Sequence, residues 1–182
     1  MNRYANVLTR SAMVLLALSW GTWSSAKDLA KVDAAVDQTL QAFYAQNPSH
    51  QELVNKAAGV LVFPRVTKAG LGVAGERGEG ALLVNGSVVA HYKVDAASLG
   101  ATIGVGKYSE IILFMTSEAR DQFQDSHGWT IGADAGVAVA SAGAGHDYDT
   151  ETLKRPVMSF VLGEHGLIGD LSLEGAKITP IV

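Results

Sequence analysis

The stretch 70-GLGVAG-75 fits G-x-G-x-x-G, the glycine fingerprint of a dinucleotide-binding turn. Asp95 lies 20 positions beyond Gly75, where such folds place a ribose-binding carboxylate. That chemistry needs a helix to begin at the glycines, because the helix N-terminus holds the pyrophosphate. The chain continues instead as 76-ERGEGALLVNGS-87, with further glycines at 78, 80 and 86 and no helical period. Each glycine in a helix interior costs about 1 kcal/mol relative to alanine. The nucleotide reading fails on its context, and no cofactor is expected.

Other reactive patterns are equally thin. No serine sits in G-x-S-x-G. Histidines 50, 91, 127, 146 and 165 are far apart, with neither H-x-x-x-H nor H-E-x-x-H among them, so each reads as a surface or satisfied polar histidine. In 146-HDYDTETLKR-155 the acids Asp147, Asp149 and Glu151 alternate as in a calcium loop. Counted from Asp147, however, the sixth position is Thr152 and the twelfth Met158, where an EF-hand needs Gly and Glu. There is no cysteine, hence no thiol chemistry and no Cys-ligated metal. No motif supports paired-carboxylate glycoside chemistry. The expectation is a protein that is not an enzyme, with no catalytic or metal-binding residues.

Five cations do carry a functional possibility. Arg65, Lys68, Arg77, Lys93 and Lys107 fall within or near the glycine-rich segments. On neighbouring strands they form a cationic patch able to hold phosphate groups; otherwise they are five solvated side chains. Glycines recur beside them at even spacing: Gly70, Gly72, Gly78 and Gly80, then Gly104 and Gly106. Even spacing puts strand residues on one face. Such a strip either lets something approach the backbone closely or lets the sheet bend.

The elements that must position these residues follow from periodicity. In 28-DLAKVDAAVDQTLQAFYAQ-46, Leu29, Val32, Val36, Leu40 and Phe43 form one apolar stripe of a helix. After Asn47-Pro48, 49-SHQE-52 reads as a capping box opening a short helix to about Ala57. From Gly59 the texture is β-branched, and Asn85-Gly86 between apolar runs is a type I′ hairpin signal. Strands are predicted at 59–63, across VTKAGLGVAGERG and EGALLV, across SVVAHYKV, and at 99–106, 110–115, 129–140, 157–162 and 166–173. A helix is predicted over 117–124, opened by Thr116 or Ser117. The order points to an α+β domain, mainly antiparallel β, sandwich- or barrel-like, with N-terminal helices and one inserted helix.

Residues 1–26 stand apart. Arg3 and Arg10 precede the apolar run 12-AMVLLALSW-20, and Ser24-Ser25-Ala26 follows as a small-residue cleavage site. This is the pattern of a secretory signal peptide, leaving 27–182 as a single domain destined for the periplasm or outer membrane. No cysteine follows the run, so no lipoprotein-type attachment is expected. Loss of Arg3 and Arg10 leaves 12 basic against 18 acidic groups, net −6. That balance argues against nucleic acid as a partner.

An ordered series of segments resembles the SYLF domain. It begins at Val66-Thr67-Lys68-Ala69-Gly70, with Gly78-Glu79-Gly80 and the Asn85-Gly86 hairpin. It continues through 98-SLGATIGVG-106, 111-IILFMTSEARDQF-123 and 128-GWTIGADAGVAVASAGAG-145, and closes in 166-GLIGDLSLEGAKI-178. The likeness covers about residues 30–180 and is that of a secreted bacterial-type member. It implies a lipid-binding module, related to a fungal actin-binding domain, whose eukaryotic members bind phosphoinositides. Of the family's basic positions Lys68 carries over, while Gly145-His146 stands where the family has Gly-Arg. The implied partner is membrane phospholipid; the alternative is an envelope protein packing on the glycine strip.

Overall fold

The computed structural model describes residues 21–126, 128–131, 155–163, 166–167 and 175–181, with backbone alone at 21–27, 71–74, 98–104 and 166–167. Two units are distinguished, dividing between Lys31 and Val32. In the first, the described residues are helical from Gly21, and Lys31 Nζ lies 2.9 Å from Asp28 Oδ1 in an exposed ion pair.

The second unit begins within the long helix α1 (Gly21–Gln46), whose apolar stripe buries Val36, Leu40 and Phe43. Helix α2 (Pro48–Lys56) follows directly. Its cap corrects the expected capping box at Ser49. Asn47 is the N-cap, its side-chain oxygen accepting from Ser49 N–H at 2.9 Å, and Pro48 takes the first helical turn, where no backbone donor is needed. Helix α3 (Ser117–Asp125) is opened by Thr116, whose Oγ1 accepts from Ala119 N–H.

The strands differ from the expectation in an instructive way. The segments predicted as separate strands are two continuous ones, β1 (Gly59–Val84) and β2 (Ser87–Phe114), paired antiparallel along their length. Asn85 and Gly86 join them with φ of 52° and 76°, both positive as a type I′ turn demands. Register irregularities fall at Phe63/Val66, beside Pro64, at Leu71/Val73, beside Gly72, and at Leu82/Leu83, and none of them ends a strand. Against β2 lie β4 (Val157–Gly163) and β6 (Lys177–Pro180), with β3 (Trp129–Thr130) on β6 and β5 (Gly166–Leu167) on β4. The remainders of the predicted strands 129–140 and 166–173 lie outside the described residues, as do Gly145-His146 and the acidic segment from Asp147. The fold is α+β and mainly antiparallel β, with a curled sheet.

A straight strand the length of β1 would run about 85 Å. It does not run straight. Lys68 Nζ lies 2.7 Å from Glu76 Oε1 on the same strand, although eight extended residues span roughly 26 Å. A side chain on Gly78 would meet Arg65 O at 2.9 Å, and one on Gly80 would meet Val62 O at 2.2 Å and Phe63 Cδ1 at 2.6 Å. These contacts all centre near Gly72. The first half of β1 is folded back over its second half about GLGVAG, and β2 follows it in register.

The folded ribbon has an inner face carrying Leu61, Phe63, Val66, Leu82, Tyr92, Val94, Ile112 and Phe114, closed by Phe123 and Trp129. Its other face sends Val60, Val62, Ala81, Leu83, Ile111 and Leu113 against the α1 stripe and Leu53 of α2. Burial on both faces explains the unbroken apolar runs 60–63 and 111–114. His91 Nε2 donates to Asp33 Oδ1 at 2.7 Å, and buried His50 Nδ1 donates to Phe43 O at 2.7 Å while stacking on that ring.

Candidate functional site

The five cations are not one patch. Lys68 points to the inner side of the bend and is bound to Glu76, itself buried. Arg77 and Lys93 are on the exposed face further along the ribbon, each opposite a carboxylate. Arg77 pairs with Asp95, Nε to Oδ1 2.9 Å, and Glu79 stands across from Lys93. Asp95 raises the already high pKa of the fully exposed Arg77 guanidinium. Such alternating cross-strand charges neutralise one another locally.

Arg65 and Lys107 differ from those three. Arg65 sits at the irregularity after Phe63, and Lys107 stands opposite Thr67. Both are exposed, and among the described residues neither has a carboxylate within ion-pair distance. Together they rim a groove of about 430 Å³ between the second unit's part of α1 and the ribbon. Gln38, Thr39 and Gln46 of α1 line it with Ser109 and Leu162. Helix α1 contributes no acid to this groove; its Asp33 is bound to His91. Two cations without a carboxylate partner among the described residues, beside neutral hydrogen-bonding groups, suit a phosphate-type anion.

The glycines divide as well. Gly78 and Gly80 are buried and allow the ribbon's two halves to touch, so there the strip serves a close internal approach. Gly75 and Gly106 face open space. Gly70 lies opposite Gly104 across the ribbon at the bend, and Gly72 falls in the irregularity between Leu71 and Val73.

One polar cluster was not anticipated. On the inner face the Tyr108 hydroxyl donates to Glu76 Oε2 in a short bond, and Ser159 Oγ donates to Glu110 Oε1 at 3.2 Å. Glu110 is fully buried, and its Oε2 has no hydrogen-bond partner among the described residues. Burial pushes the Glu110 carboxyl up to about 8; the Ser159 hydrogen bond opposes this and the Glu76 charge adds to it. Burial and the bond to Glu76 raise Tyr108 also. A signal existed in the sequence: Glu110 shares strand parity with Ile112 and Phe114, which places it on a buried face.

Residues 95–181 match the family described as Ysc84, Las17-binding protein actin regulator. This is the SYLF family, and the match to it covers a little under half of the chain. The match is consistent with the SYLF resemblance over β2 from Asp95 through β6, including Lys107 and Glu110, and does not extend to the part of the resemblance before residue 95. No curated protein matches the chain significantly. SYLF domains are a family of binding modules. The His91–Asp33 pair, the one described histidine–carboxylate contact, tethers α1 to β2 and lines none of the grooves above.

Proposed function

We propose that the chain is an exported, non-enzymatic phospholipid-binding domain of the cell envelope. The observation that carries the reading is the pairing of Arg65 and Lys107 on one groove, both without carboxylate partners among the described residues. The headgroup phosphate binds there. Lys68, Arg77 and Lys93, already opposite carboxylates, hold or solubilise the ribbon and contribute little to affinity. The signal-like residues 1–26 support export, which would keep the domain from cytosolic partners of the kind named for its family.

The test is co-sedimentation of the purified chain with vesicles of phosphatidylcholine and phosphatidylglycerol at low salt. A basic residue near an anionic surface is worth about 1 kcal/mol. The double substitution Arg65→Glu with Lys107→Glu therefore lowers binding by at least about tenfold, whereas Lys93→Glu leaves it nearly unchanged. Equal binding by the double variant and the parent removes this groove from the site.

A further inference from the structure

The bend of the ribbon has a composition unlike the rest of the chain. Between Lys68 and Glu76, β1 reads 69-AGLGVAG-75; between Asp95 and Lys107, β2 reads 96-AASLGATIGVG-106. Charged residues make up 18% of the chain, yet these two segments contain none, and Ser98 and Thr102 are their only polar side chains. They are also the same place in space. Ala69 pairs with Val105, Leu71 with Ile103, Val73 with Leu99 and Gly75 with Ala97. The fold-back about Gly72 brings them to the apex of the doubled ribbon.

Most of the described apex residues are exposed, while Gly70 is half-buried and Ala96 packs against the inner core. Val105 is 73% exposed, the most exposed large hydrophobic residue described. Ala69, Gly75, Ala97 and Gly106 are exposed as well. Charges begin immediately at its base, with Lys107 directly after Gly106 and Arg65 on the same groove. The flanking acids Glu76 and Asp95 are paired with Lys68 and Arg77, so the charges at the base without a carboxylate partner among the described residues are Arg65 and Lys107. An uncharged tip above these two cations is complementary to a membrane interface, with anionic headgroups outside and acyl chains beneath. Among the described residues the tip is a two-stranded ribbon, paired through Ala69–Leu71 and Val73–Gly75 and open along both edges. Entry is accordingly shallow, at the depth where headgroups and water can still reach those edges.

We infer that the ribbon apex, 69–75 with 96–106, is the element that enters the lipid surface, with Val105 as an inserting side chain and Lys107 and Arg65 as the headgroup collar. This rests on the phospholipid reading above and adds the depth and the residues of contact.

The absence of cysteine makes the test direct. Val105→Cys and Ala97→Cys at the apex, and Ser87→Cys at the exposed hairpin turn, are each labelled with an environment-sensitive nitrobenzoxadiazole dye in the full chain. Each is mixed with phosphatidylcholine–phosphatidylglycerol vesicles, and sedimentation is measured in parallel. The expected result is that all three sediment, that emission at 105 and 97 shifts blue, rises several-fold and is quenched by acyl-chain spin labels, and that emission at 87 does not change. If the variants sediment but 105 and 97 stay as open to aqueous iodide as in buffer, insertion is overturned and the lipid reading survives. If neither the labelled nor the unlabelled chain sediments, both fall together. The unlabelled Val105→Asp variant is an independent check. It is expected to keep the parent's melting temperature and lose at least tenfold in vesicle binding; unchanged binding overturns the role of Val105.

Discussion

Glu110 occupies a position that the strand pattern assigns to an apolar side chain, between Tyr108 and Ile112 on the inner face. Its carboxyl is held protonated to about pH 8, against an ordinary value of 4.5. The sign follows from proton uptake. Between those two values the unfolded chain has released the proton that the native state keeps, so stability falls as pH rises, by about 1.4 kcal/mol per pH unit for this one group. Below pH 4.5 the effect is absent, and above about 8 it levels off. Glu110→Gln mimics the protonated form and should abolish this slope. Thermal melts from pH 5 to 9 should find parent and variant similar at the acid end, with the variant clearly the more stable at pH 8. Parallel pH profiles for the two proteins would show that Glu110 ionises normally. Parity along the strand makes the burial of Glu110 legible from sequence. Its neighbours Ser159 and Glu76 are not, because each is brought there by long-range pairing and by the fold of β1.

The element that decides the architecture is β1. Its glycines are indistinguishable in sequence, yet the fold uses them differently. Gly80→Ala would force a methyl group to within 2.2 Å of Val62 O, a backbone atom with little room to yield. We expect a loss of about 3 kcal/mol, read from urea unfolding. Gly106→Ala places its methyl in open space and should stay within about 0.5 kcal/mol of the parent. Similar losses for both would mean that intrinsic backbone effects, not the close approach, set the role of these glycines. The helices were legible because an apolar stripe or a capping residue is local: Thr116 opens α3 as its sequence suggests. The capping box at Ser49 was a weaker inference, since Asn47-Pro48 offers both a cap and a first-turn proline two residues earlier. Dividing β1 and β2 into shorter strands failed for a related reason. A glycine weakens a strand locally, but pairing along a whole ribbon can carry the strand through it, at the cost of a bulge or bend.

At the scale of the molecule, a chain that carries net −6 without residues 1–26 is proposed to bind an anionic surface. It can do so only through a local excess of positive charge, and such contacts weaken once salt shortens the screening length to about 10 Å or less. Binding to phosphatidylglycerol vesicles should therefore fall several-fold between about 50 mM and 300 mM salt, while the apolar apex retains a residue of binding. Affinity indifferent to salt would leave the Arg65–Lys107 groove without a role. Export is checked separately: the protein recovered from the producing cell's envelope should begin at Lys27 by intact mass, and an unprocessed N-terminus would count against a cleaved signal. The sequence by itself determined the class of fold, the hairpin at Asn85-Gly86, the apolar faces of the helices and the family likeness, because periodicity, turn chemistry and ordered motifs are written locally. It also contained the two uncharged stretches, each flanked by one cation and one acid. Only the tertiary structure decided that those stretches are one apex, that three of the five cations stand opposite carboxylates, and that Arg65 and Lys107 share a groove. The apex and the Lys68–Glu76 pair depend on β1 folding back about Gly72, and the other pairs on the register of β1 along β2; both are contacts between residues far apart in the chain that no local pattern specifies.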